Sequence, residues 1–115
     1  EGVPRDEVCA VNWYTKAAEQ GVAQAQFNLG VIKEHGHDED CAVEWYKKAA
    51  ELGHAKAQYN MAVMHEDGHI LPKDIALALV WYQKAAEKGD AGAQNNLGVI
   101  YFKGYIVPKN EVLAV

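Results

Sequence analysis

The sequence predicts an all-α fold: an α/α solenoid, or superhelix, of about three helix-turn-helix units. Three observations predict it. WYTKAAEQG at Trp13–Gly21 recurs as WYKKAAELG at Trp45–Gly53 and WYQKAAEKG at Trp81–Gly89. A second block follows each copy: AQAQFNLG from Ala23, AKAQYNMA from Ala55 and AGAQNNLG from Ala91. The tryptophans are spaced by 32 and then 36 residues. Helical units of this length cannot bury their apolar faces alone and must stack on their neighbours. The expected repeats cover about residues 6–37, 38–73 and 74–109, with 110–115 opening the first helix of a fourth.

Within each unit the first helix places Ala10, Trp13, Tyr14 and Ala17, and their copies, at i, i+3, i+4 and i+7. That spacing makes one apolar face, expected to be core with Trp45 as a main anchor. Asp6, Asp38, Asp74 and Asn110 each stand seven residues before the tryptophan position and suit an N-cap. Gly21, Gly53 and Gly89 should stop the first helix in the left-handed region. The second helix should run from about Ala23 to His35 and its counterparts, ending at Gly36, Gly68 and Gly104 by the same means. Val3-Pro4, Leu71-Pro72 and Val107-Pro108 fill loops between units. The first-to-second junction lacks this step. It is four residues shorter, leaving HGHD at 35–38, so a local distortion is expected there. Gly30, Ala62 and Gly98 share one phase, where neighbouring backbones can approach closely.

Composition excludes several functions. The 115 residues carry a net charge of −5, and Arg5 is the only arginine, which argues against nucleic acid as a partner. No serine is present and Thr15 is the only threonine, which removes serine nucleophiles and the phosphate-binding loop ending in Lys-Ser or Lys-Thr. No apolar run is long enough for membrane insertion.

The pattern A-x-x-WYxKAAExG-x-A-x-AQxNLG, followed by a glycine loop with Val-Pro and Asp, resembles the Sel1-like repeat, a relative of the tetratricopeptide repeat. The resemblance spans essentially the whole chain. It departs at the short first loop, at Ala62 where the family usually has glycine, and at His35 and His65 where it often has tyrosine. It implies a non-catalytic scaffold or adaptor that holds protein partners, with first helices lining the concave side.

The sharpest competing motif is His65-Glu66-Asp67-Gly68-His69, which matches the H-E-x-x-H zinc signature. Gly68 holds the helix-stop phase, so His69 should fall beyond the helix and the imidazoles should diverge. His35 and His37 with Asp38 and Asp40 read as a solvated turn, and His54 as a turn residue. No metal site, cofactor or catalytic residue is expected. Cys9 and Cys41 share the phase of Leu77 and Leu113 and read as packed free thiols, compatible with a reducing compartment. Equivalent helices ~9 Å apart exceed the ~7 Å Cα reach of a disulfide. Gln26, Gln58 and Gln94, with Asn28, Asn60 and Asn96, should satisfy helix ends and loop carbonyls. Lys16 and Glu19, and their copies, read as ion pairs on a helix face.

Phases that vary within the chain are the candidates for recognition. Val8, Asn12 and Thr15 become Asp40, Glu44 and Lys47, then Ala76, Val80 and Gln83. They lie opposite the apolar stripe and are expected to line a groove for a protein or peptide partner. The alternative is a structural or self-assembling segment of a longer array, in which uncapped termini associate end to end.

Overall fold

Six segments have the apolar spacing that helices need, with proline confined to Pro4 in a first turn, and all six fold as helices. The computed structural model describes residues 3–103, with side chains from residue 8 onward. They form α1 (Val3–Glu19), α2 (Ala23–His35), α3 (Glu39–Glu51), α4 (Ala55–Asp67), α5 (Ile75–Glu87) and α6 (Ala91–Lys103). Each helix packs on its neighbours in the chain, most extensively across the unit borders α2/α3 and α4/α5. The result is elongated, 55 × 24 × 21 Å, with a radius of gyration of 15.9 Å, against about 13 Å for a globular domain of this length. An α/α solenoid accounts for that shape.

The first helices end alike. Gly21, Gly53 and Gly89 have φ of 90°, 95° and 97°. The next residue donates its N–H back to a carbonyl five residues earlier: Val22 to Ala17, His54 to Ala49 and Asp90 to Ala85. This is the left-handed glycine stop, which leaves few terminal carbonyls unpaired. The glutamines close another. Gln26, Gln58 and Gln94 donate Nε2 to the carbonyls of Ala18, Ala50 and Ala86 at 3.1, 3.1 and 3.2 Å. Asp38 and Asp74 cap α3 and α5 through the N–H groups of Cys41 and Leu77.

Two expectations about helix ends need correction. Asp6 is not an N-cap, because α1 begins at Val3 with Pro4 in its first turn, where a missing N–H costs nothing. Gly36 does not stop α2 by a left-handed turn; its φ is −87°, and His37 takes φ +66° instead. The deletion is the reason. With no spare residues in HGHD, Asp38 both donates its N–H to Lys33 and caps α3, so the reversal falls on the residue just before it. Asn110 and Gly104 lie outside the described residues.

The core is alanine-rich and divided among the joints. Tyr46 and Tyr82, at 1% and 0% exposure, are its largest buried side chains together with Leu29 and Ile100. The tryptophans are not its centre. Trp45 packs half-buried on the cluster of Ala18, Ala25 and Leu29 from the preceding unit, and Trp81 lies between the next two clusters. Trp13 is 69% exposed; its phase faces backward along the stack, and no described residue covers it. Lys48 and Lys84 lie 5.3 and 6.0 Å from the ring centres of Trp45 and Trp81. The ion pairs among the described residues are elsewhere, so the recurring lysines cover indole faces in place of the expected glutamates. Cys9 is exposed and Cys41 partly so, which corrects the packed-thiol reading; Leu77, in the same phase, is 37% exposed. Both thiols are free.

Candidate functional site

The nine candidate residues fall on the outward side of α1, α3 and α5. Val8 is 60% and Val80 44% exposed; Asn12, Asp40, Glu44, Lys47, Ala76 and Gln83 are also exposed. Thr15 is half-buried, its hydroxyl donating to the Val11 carbonyl at 2.7 Å. Gln83 is engaged as well, donating Nε2 to the Tyr101 hydroxyl of α6 at 2.9 Å. The spacing i, i+4, i+7 runs these residues along each helix as one stripe, apolar at Val8, charged across α3 and apolar again at Val80. A cleft of about 260 Å³ brings Val8 and Asn12 together with Val11 and Ile32. Ile32, on α2, was not marked by the repeat comparison because its counterpart Met64 is also apolar.

The histidine motif divides as its spacing suggests. Helix α4 ends at Asp67, and Gly68 turns left-handed at φ 71°. His65 is buried with Nδ1 3.2 Å from the Pro72 carbonyl, to which it donates, tying down the loop to α5. His69 lies beyond the turn, 3.8 Å from Glu39. Among the described residues no group of three or more histidine, cysteine, aspartate or glutamate side chains is placed to hold a metal ion. No described helix is long and apolar enough to cross a membrane.

Two further sets of residues join the units. The Tyr46 hydroxyl donates to Glu34 Oε1 at 2.6 Å, and the Tyr82 hydroxyl to Glu66 Oε1 at 2.5 Å. Each glutamate belongs to the second helix of the preceding unit. Asn96 Nδ2 donates to the Tyr82 hydroxyl at 3.0 Å, and Asn60 bonds Tyr46 likewise, so these asparagines hold a tyrosine where loop carbonyls were expected. Burial pushes both phenols well above their ordinary range, with the nearby glutamates adding to the shift.

The other set caps the second helices. His54 Nδ1 accepts from the Ala57 N–H, so Nε2 carries the proton and donates to Gln24 Oε1 of the preceding unit at 2.9 Å. Its ring stacks on Phe27 at 4.7 Å. At the next joint Asp90 caps α6 and meets Lys56 at 3.4 Å. His54 therefore does more than turn the chain. Its single-copy identity hid this, since Val22, His54 and Asp90 share a phase but no chemistry.

Burial lowers the His54 pKa below its ordinary value, about 6.5. A base whose folded pKa is depressed binds its proton more readily in the unfolded chain. Its contribution to stability is therefore complete above pH ~6.5 and is lost as pH falls below that value. Acidification from pH 8 to pH 5.5 should lower the melting temperature, and His54→Asn, which keeps a cap acceptor without a titrating ring, should show a smaller fall. Identical pH profiles would remove His54 from the joint's energetics.

The family model for the Sel1 repeat matches residues 1–22, 23–54, 55–90 and 91–115, each full-length match joining a second helix to the following first helix. Two solved structures are similar over most of the chain. One is a protective antigen present in uropathogenic Escherichia coli strains and displaying an SLR fold: 40% identity and a TM-score of 0.85 over 98% of this chain and 25% of that one. The other is a Sel1 repeat protein from Oxalobacter formigenes: 46% identity and a TM-score of 0.80 over 86% of this chain and 42% of that one. The chain thus spans less than half the length of either. No curated protein matches it. With the family model matching along its whole length and its six helices stacked as in these two structures, the chain belongs to the Sel1 repeat family.

Proposed function

We propose that the chain is a non-catalytic interaction scaffold that binds a protein or peptide partner through the outward stripe of α1, α3 and α5. Sel1 repeat proteins generally mediate protein–protein interactions and are typically non-enzymatic. The observation that carries the reading is the exposure of Val80 beside that of Glu44 and Lys47. These phases vary from unit to unit while their neighbours stay fixed, and an apolar side chain left in solvent there gives a partner something to bury.

The test is affinity capture with the intact chain, followed by variants. Reversing Glu44 and Lys47 together, or replacing Val80 with Asp, should weaken capture at least tenfold (~1.4 kcal/mol) with melting unchanged, since exposed charges contribute little to folding. Lys33 on α2 is the control. Lys56 is unsuitable because it pairs with Asp90. If Lys33→Glu abolishes capture at physiological salt while the stripe variants are silent, the binding face belongs to the other layer.

One observation favours the alternative, a structural or self-assembling segment of a longer array. Trp13 is 69% exposed, whereas its counterparts Trp45 and Trp81 are half-buried against the units before them, so a preceding unit would cover it. A mass that rises with concentration in sedimentation equilibrium, and falls back in Trp13→Ser, selects this reading.

A further inference from the structure

A second recess lies in the other layer, between α2 and α4. It encloses about 260 Å³ and includes no residue of a first helix. Glu34 and Asp67 stand at its rim, and Tyr59, Met64 and Ile70 form apolar walls. The volume is below the ~300–1,000 Å³ of small-molecule pockets and suits one long side chain.

Its charge is unbalanced. Glu34 accepts from the neutral Tyr46 hydroxyl through one oxygen, and neither Glu34 nor Asp67 is ion-paired among the described residues. Two basic side chains are close and both are engaged: Lys56, 5.0 Å from the Tyr59 ring centre, pairs with Asp90, and His69, which lines the recess, faces Glu39. The chain's net charge of −5 adds a long-range field of the same sign. Two open carboxylates above an aliphatic and aromatic wall match a cation carried on an apolar stem. A guanidinium fits better than an ammonium, because its plane stacks on a phenol ring while its fork bonds carboxylate oxygens.

We propose that this recess is a docking site for an arginine side chain presented by a protein or peptide, separate from the first-helix stripe. It does not depend on the stripe being a binding surface.

The probe is N-acetyl-arginine amide, titrated into the isotope-labelled chain and followed by NMR at the Met64 methyl and the Tyr59 ring. The neutral isostere N-acetyl-citrulline amide serves as the control. Saturable shifts with the arginine probe, absent with citrulline, are expected. Glu34→Gln keeps an acceptor for Tyr46, and Asp67→Asn changes an exposed position, so both variants should fold. Each should weaken binding by about fivefold, while Lys47→Ala leaves it intact. Equal shifts with citrulline, no saturation, or unchanged affinity in both carboxylate variants would overturn the assignment.

Discussion

Replacing Tyr46 with alanine should lower stability by about 3–5 kcal/mol, whereas Trp13→Ala should cost less than about 1 kcal/mol. The contrast follows from place in the stack. Tyr46 is 1% exposed, its hydroxyl bridges to Glu34 of the preceding unit, and its ring lies 5.7 Å from that of Phe27. Removing it opens a cavity and leaves Asn60 and Glu34 without their shared partner. Trp13 has the larger side chain but remains 69% in solvent, so its truncation returns little area to water. A chain of this size has about 5–15 kcal/mol in total. Thermal or urea melts of the two variants should therefore separate widely, and coincident melts would refute the placement of Tyr46 inside the joint and of Trp13 outside it.

Two substitutions of one kind, in one repeat phase, should have opposite signs. A Cβ at Gly30 would stand 2.6 Å from both Cδ1 and Cε1 of Tyr46. That ring is buried and tethered by its hydroxyl, so it cannot swing aside as a long flexible side chain could. Gly30→Ala should destabilise by about 1–3 kcal/mol as an overpacking change, partly offset by alanine's better helix propensity. Ala62, the counterpart in α4, is tolerated at 0% exposure, which indicates that a joint can adjust when its backbone spacing is set for a methyl group. Gly98 in α6 has nothing within 4 Å of its virtual Cβ. Gly98→Ala should stabilise by about 0.5–1 kcal/mol, because glycine in a helix interior carries an entropic cost and no neighbour objects. Urea midpoints measured for both variants check the pair. A loss at Gly98, or a gain at Gly30, would mean that the shared phase is not read by the next tyrosine.

The repetition made the architecture legible. Three copies of WYxKAAExG give the helix period, and the recurring glycines give the stops, so the helices and the roles of Gln26, Gln58 and Gln94 follow without coordinates. Repetition also misled. It marks Trp and Tyr equally, because both recur in adjacent positions of one stripe, and only the direction of stacking shows that Tyr46 and Tyr82 point into the joint while the indoles lie at its margin. The left-handed His37 was illegible for a related reason: a deletion tells where the chain is short, but not which residue absorbs the reversal. The stripe of α1, α3 and α5 could be read from variation between units. The α2/α4 recess could not, since Glu34, Tyr59 and Asp67 come from two units and meet only through stacking.

The central claim is that recognition occurs on the variable stripe of the first helices. The most direct measurement is a residue-resolved footprint of a captured partner on the isotope-labelled chain by cross-saturation NMR. The account predicts saturation transfer concentrated at Asp40, Glu44, Lys47, Ala76 and Val80, with α2 and α4 resonances largely unaffected outside the recess between those two helices. Transfer confined to α2, α4 and α6, with the stripe silent, would contradict it.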